Sequence, residues 1–216
     1  MMIKAITLLL ALAGAVPTVQ AQDAAAGEKN SAMCAGCHGI PGYQSSFPEV
    51  YRVPKVAGQN AAYIVAALTA YKKGERKHPT MAGIGRGLSD QEMADLGAFY
   101  AGQGAALVKT VADSTPPPPP AAVGELLTKG ACASCHGANF NKPLVPAYPK
   151  LAGQHADYLF FALRSYGVEG NPHVGRANAV MSGQVKPYKR AELKAMADYL
   201  STLPGDLRVV NNPKFK

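Results

Sequence analysis

At 216 residues, with 48% apolar residues and no Trp, the chain fits one or two domains with real hydrophobic cores. Its 22 Gly and 17 Pro imply long loops between short helices, and its four Cys fall into two pairs that leave none for a separate structural disulfide. The formal net charge of +8 points to acidic or anionic partners. Beyond the N-terminal segment no stretch is long or apolar enough to cross a bilayer, which excludes further membrane spans.

The chain opens as an export signal. Lys4 supplies a positive start, Ala5 to Val16 is a short apolar run, and Val19-Gln20-Ala21 is a small-residue cleavage site. Residues 1–21 are thus expected to be a signal peptide and the mature chain to begin at Gln22. The apolar run is short of the ~20 residues that span a membrane comfortably, so retention as an anchor is the lesser alternative.

A first helix is expected over Ala24 to Ala35, ending in Cys34-Ala35-Gly36-Cys37-His38. Its twin runs from Ala122 to Ser134 and ends in Cys132-Ala133-Ser134-Cys135-His136. Cys-x-x-Cys-His is the attachment pattern of a c-type haem. Two thiols one helical turn apart can each add to one vinyl group of the porphyrin, and the adjacent His reaches the iron through a neutral ring nitrogen. A four-Cys zinc site or plain disulfides would use the same Cys spacing. The His after each second Cys, and the separation of the pairs by nearly a hundred residues, argue for two covalently bound haem c groups. Such haem is attached outside the cytoplasm in bacteria, so motif and export signal support each other and place the protein in the periplasm.

A second helix is expected from Gln59-Asn60 to about Lys73, with Tyr63, Ala66, Ala67, Ala70 and Tyr71 on one face. Its twin starts near Gln154 and carries Tyr158, Phe161, Ala162 and Tyr166. A third helix begins at the capping box Ser89-Asp90-Gln91-Glu92 and buries Met93, Leu96, Phe99 and Tyr100. Its twin buries Leu193, Met196, Tyr199 and Leu200, but starts at Lys189-Arg190, a poorer N-cap. No stretch shows sustained strand alternation, so the class is all-α.

These twins make the mature chain an internal duplication. The Cys-x-x-Cys-His motifs match at an offset of 98, Pro54 to Gln59 matches Pro149 to Gln154 at 95, and Met81-x-Gly83 matches Met181-x-Gly183 at 100. The units are read as 22–113 and 123–216, joined by a linker at 114–122 that contains five consecutive prolines, Pro116 to Pro120. Such a run reads as a stiff polyproline II strut.

The repeat also selects the sixth ligands. Met81 and Met181 stand 43 and 45 residues after their His, each followed by a small residue and Gly that let backbone lie close to a haem face. A thioether favours the ferrous state and raises the reduction potential. Met93 and Met196 fall on core stripes, and Met33 lies on the wrong side of its motif. His78 and His173 are not equivalent and are read as surface residues, and His155 is read as a structural residue at a helix start. A ligating His usually donates its second ring N–H to a carbonyl, and Pro54 and Pro149 are the candidates for His38 and His136.

The Pro-Lys-Leu-Ala-Gly-Gln-His run with downstream Tyr-Leu, the Met-x-Gly pair and the segment LSDQEMADLGAFYAGQ resemble the dihaem cytochrome c4 family over about residues 24 to 205. The resemblance implies two class I cytochrome c domains, each with His/Met-ligated iron, related by a pseudo-twofold axis. It also implies electron transfer to redox partners such as a terminal oxidase, reductase or dehydrogenase. The five-proline linker and the long loop Ile40 to Arg52 depart from the family pattern.

With both irons six-coordinate the chemistry is outer-sphere electron transfer rather than catalysis. The competing reading is the electron-accepting cytochrome subunit of a dehydrogenase or flavocytochrome. Residues 22–113 carry a net +1 and residues 114–216 a net +6, with Lys186, Lys189, Arg190 and Lys194 clustered after Met181. The second domain is therefore expected to face an acidic partner or an anionic membrane surface, and nucleic acid is not a partner in the periplasm.

Overall fold

The computed structural model describes residues 21–105 and 115–211. Residues 1–20, which hold most of the expected signal peptide, residues 106–114 at the end of the first unit and start of the linker, and residues 212–216 lie outside the described residues. Two helical units follow one another, as the all-α reading expects, and each contains five helices rather than three.

In the first unit the expected opening helix is two helices, α1 (Ala24–Asn30) and α2 (Ala32–His38). Asp23 caps α1, its carboxylate accepting the N–H groups of Ala25 and Ala26 at 2.8 and 3.2 Å. The break falls at Ser31, whose buried hydroxyl donates to the Glu28 carbonyl at 2.7 Å. Gly27 lets α1 lie directly on the last helix of the unit: a Cβ there would stand 2.1 Å from the Asp95 carbonyl oxygen. A hairpin of two-residue strands, β1 (Gln44–Ser45) and β2 (Tyr51–Arg52), follows, with Ser45 opposite Tyr51.

Next come α3 (Ala61–Lys72), strand β3 (Arg76–Lys77), α4 (Pro79–Gly87) and α5 (Asp90–Ala105). The core stripe of α3 is Ile64 and Leu68, not the expected Tyr-Ala face, because Tyr63 and Tyr71 turn toward the second unit and Ala66 is exposed. Of the expected α5 stripe, Met93, Leu96 and Tyr100 are buried, while Phe99 is half-buried against the same cluster. Its capping box forms: Ser89 donates its N–H to Glu92 at 2.8 Å and accepts the Glu92 N–H at 3.2 Å.

The second unit repeats the order with α6 (Ala121–Lys129), α7 (Cys132–His136), α8 (Ala156–Ser165), strand β4 (Gly175–Arg176), α9 (Ala179–Val185) and α10 (Arg190–Thr202). Its core joins Phe140, Ala152, Leu159 and Leu200 to Val123, Leu193 and Met196 through Leu127, Phe160, Leu163 and Tyr199. At the start of α10 Glu192 accepts the Lys189 N–H at 2.6 Å, so the poor N-cap residue is offset by its acidic partner. Of the proline run, Pro116 and Pro119 are half-buried three residues apart, the period of a polyproline II helix laid on a surface. The Pro117 carbonyl accepts the Tyr199 hydroxyl at 2.7 Å.

The units are interlocked. The loop Ile40 to Arg52 of the first reaches the second: Arg52 pairs with Asp157 at 3.0 Å, Glu49 pairs with Arg164, and Tyr51 stacks on Phe161 with centroids 4.2 Å apart. In return, the chain after α10 passes onto the first unit, where Arg208 donates its N–H to the Ala57 carbonyl at 3.0 Å.

Candidate functional site

Each Cys-x-x-Cys-His run lies on a short helix with its His as the last residue. His38 Nδ1 stands 2.8 Å from the Pro54 carbonyl oxygen and His136 Nδ1 stands 3.1 Å from that of Pro149. These are the two carbonyls named from the repeat. A carbonyl only accepts, so Nδ1 carries the proton in both rings and Nε2 keeps its lone pair. Burial lowers both imidazole pKa values, which holds the rings neutral, the form that binds a metal.

The four cysteines are half-buried. Burial raises the thiols of Cys34 and Cys132, the opposite of the low-pKa thiolate of a redox-active dithiol. The two pairs lie in different units, and among the described residues no three His, Cys, Asp or Glu side chains converge, so the thiols do not assemble a tetrahedral zinc site.

Met81 and Met181 stand on helices beyond the three expected in each unit. Both α4 and α9 are rich in Gly or short, and weak in propensity. The signals that were present are Pro79 at the first helical position and Asn178 as an N-cap. The Met81 side chain packs on Ile64, Leu68, Met93, Leu96 and Tyr100, the cluster that also takes Cys34. Met181 packs on Val123, Val185, Leu193 and Met196, which is continuous with the cluster that takes Cys132. Each unit therefore packs the first thiol of its motif and its methionine on one apolar core, with the second thiol and the carbonyl-anchored imidazole on the same short helix as the first thiol. That donor set fits haem c. Met93 and Met196 are buried in the core as expected, and Met33 is exposed.

The remaining histidines correct the first reading in part. His173 is exposed, as expected. His78 is half-buried rather than an ordinary exposed residue: it is the N-cap of α4, its Nδ1 accepting the Met81 N–H at 3.4 Å. Its repeat counterpart is Asn178, whose Oδ1 accepts the Met181 N–H at 2.9 Å. His155 stands at the start of α8 without a side-chain capping bond, and there Gln154 Oε1 takes the His155 N–H at 3.0 Å.

Between the units runs a pseudo-twofold axis. Gln59 donates to the Lys150 carbonyl at 3.0 Å and accepts the Lys150 N–H at 2.9 Å. Gln154 makes the same two bonds to Lys55, both at 2.9 Å. On the axis β3 and β4 pair antiparallel with Arg76 opposite Arg176, its own repeat counterpart. The Arg76 guanidinium donates to Tyr158 at 2.5 Å and Tyr63 at 3.3 Å, and lies 4.8 Å from the Tyr71 ring centroid. Arg176 donates to Tyr158 at 3.1 Å and lies over the Tyr166 ring at 5.4 Å.

Burial raises the phenols of Tyr63 and Tyr71. Burial would raise Tyr158 as well, but Arg76 and Arg176 outweigh it and bring it down to about 8. Two like charges, Arg76 buried and Arg176 half-buried, thus face each other, with no carboxylate pairing either among the described residues, and Arg76 Nε is buried without a partner. Such a pair calls for anions, and haem c carries carboxylates. Residues 82 to 100 positions apart meet here, and no local pattern in the sequence announced it.

The cytochrome c family model matches residues 24–101 and 121–204. The chain is 32% identical over 215 residues to cytochrome c4 of Azotobacter vinelandii, covering 92% of this chain and 97% of that one. Among solved structures it is similar to reduced recombinant cytochrome c4 from Pseudomonas stutzeri, with a TM-score of 0.63 and 30% identity over 85% of this chain and all of that one. It is also similar to a thiosulfate dehydrogenase from Marichromatium purpuratum, with a TM-score of 0.57 and 27% identity over 79% of this chain but 36% of that one.

Proposed function

Since this chain belongs to the cytochrome c4 family and carries two covalently bound haem c groups, we propose that it is a periplasmic electron carrier that serves respiratory redox partners by outer-sphere transfer. Cys34 and Cys37 attach one haem and Cys132 and Cys135 the other, with His38/Met81 and His136/Met181 as the axial pairs. Each bound iron supplies a one-electron couple.

The observation that carries this reading is the matched set in each unit: an imidazole anchored at Nδ1 on the Cys-bearing helix, and a methionine packed on the same apolar core as the first Cys of that helix. The carbonyl bonds hold each imidazole in one tautomer and orientation. The apolar clusters against which Met81 and Met181 pack favour the less charged ferrous state. Arg76 and Arg176 on the axis are placed to take carboxylates from both haems, which would bring the two groups to one interface. The net +6 of residues 114–216 favours an acidic partner or anionic surface at the second unit.

Haem counting with optical redox titration of the exported holoprotein tests this. Two low-spin haems per chain with high potentials are expected, and a high-spin haem that binds cyanide without displacing a methionine would refute it. A second reading has its own support: the two-unit architecture also matches part of a longer thiosulfate dehydrogenase. Stable co-purification with a catalytic subunit would favour the electron-accepting-subunit role.

A further inference from the structure

The two methionine-bearing helices begin differently. Asn178 caps α9 through a short bond, Oδ1 to the Met181 N–H at 2.9 Å. At the equivalent position His78 accepts the Met81 N–H at Nδ1, which leaves its proton on Nε2, 3.4 Å from the Ser45 hydroxyl. Ser45 is the cross-strand partner of Tyr51 in the β1–β2 hairpin. Tyr51 touches both units at once: its ring meets His78 edge-on at 6.4 Å and 69°, and its face stacks on Phe161 of α8 at 4.2 Å and 25°. The same hairpin is tied to the second unit by Arg52–Asp157 and Glu49–Arg164. A continuous set of contacts therefore runs from α8 of the second unit, through Tyr51 and His78, to the backbone N–H of Met81.

We propose that His78 is a positioning residue that makes the seating of Met81 depend on the docking of the two units, whereas Asn178 seats Met181 within its own unit. The reason lies in reach. Asparagine is long enough to cap its own helix but too short to meet a side chain on the hairpin as well. Imidazole presents an acceptor to the helix at one nitrogen and a donor to the hairpin at the other. When the hairpin leaves Phe161, His78 loses the contacts that orient it, the first turn of α4 loses its cap, and Met81 is held less firmly. The sixth position in the first unit then opens while that in the second stays closed. The proposal rests on the reading of Met81 as an axial ligand.

The test uses the holoprotein and two readouts. The first is the set of ring-current-shifted methyl resonances of iron-bound methionines in the reduced form, one per methionine-ligated haem. The second is the rate at which cyanide displaces methionine from each ferric haem. The hairpin is loosened by Tyr51→Leu, or more gently by Glu49→Gln with Arg52→Gln. In the His78 background either change is expected to speed cyanide binding at the first haem about fivefold, the size of one lost helix cap. The second haem and its methionine resonance should not change, which also shows that the variant is folded. His78→Ala alone should give the same fivefold rise. His78→Asn should restore the wild-type rate and make the hairpin changes silent.

Hairpin variants that act on both haems alike, on neither, or equally in the His78→Asn background would overturn the proposal while leaving methionine ligation intact. A wild-type spectrum with only one bound-methionine resonance would remove the Met81 reading and this proposal with it.

Discussion

Replacing Gln154 with Ala should strip the interface of two of its four reciprocal amide bonds. The Gln154 side chain is 4% exposed, and its amide satisfies both the N–H and the C=O of Lys55 at 2.9 Å. Its oxygen also accepts the His155 N–H at 3.0 Å. Truncation leaves two backbone groups of Lys55 without partners in a buried seam, each costing about 1–3 kcal/mol less whatever water recovers. A total of about 2–4 kcal/mol follows, equivalent to roughly 5–15 °C in Tm for a chain of this size. Gln154→Met, which keeps the volume, should lose as much, because polar satisfaction rather than packing is removed. Gln59→Ala should match Gln154→Ala, since Gln59 makes the same bonds to Lys150 at 2.9 and 3.0 Å. Thermal unfolding of haem-loaded protein, followed by far-ultraviolet circular dichroism, measures this. A drop below about 1 °C in both variants, or a loss in one twin only, would refute the account of the interface as a symmetric amide clasp.

Exchanging Met81 or Met181 for a non-ligating residue should halve the long-wavelength ferric band that marks thioether ligation, and lower the potential of one haem alone in an optical titration. Arg176→Leu should lower both potentials, because removing a half-buried positive charge from the axis disfavours the added electron at either site. Unchanged midpoints would count against that placement. Stability should also depend on His155, whose pKa burial, with Lys55 and Arg52 nearby, depresses to about 4 from 6.5. Above 6.5 the ring is neutral in both states and has no effect; as pH falls from 6.5 to about 4 only the unfolded chain takes up the proton, so stability is lost across that window. For a half-buried group the loss is about 1–2 kcal/mol after solvent screening. His155→Asn, the residue type of its counterpart Asn60, should flatten that part of the pH profile in chemical denaturation.

Haem attachment was legible because covalent chemistry sets a local spacing. Two thiols and an imidazole must fall within five residues, and duplication repeats the pattern where a chance match would not. The same repeat pointed to Met81 and Met181 and to the Pro54 and Pro149 carbonyls before any geometry was known, since equivalent functions keep equivalent positions. The helices under those methionines were not legible, because Gly-rich segments such as Met81-Ala82-Gly83-Ile84-Gly85 have little helix propensity of their own. Tertiary packing makes α4 a helix: a Cβ at Gly85 would lie 3.1 Å from the Leu68 carbonyl oxygen, so glycine lets α4 press against α3.

What the chain alone determined is thus the cofactor, written in two five-residue motifs, and the helical class, while the proposed methionine ligands, 43 and 45 residues beyond each His, rest on the repeat. What only the tertiary structure decided is the seam between the units, with Arg76 against Arg176, Gln59 and Gln154 exchanging bonds with the opposite backbone, and His78 drawn from the surface into a contact with Tyr51. Those partners are separated along the chain by loops whose lengths drift between the repeats. Which side chains meet there is settled by how two cores dock, and a linear pattern does not carry that information.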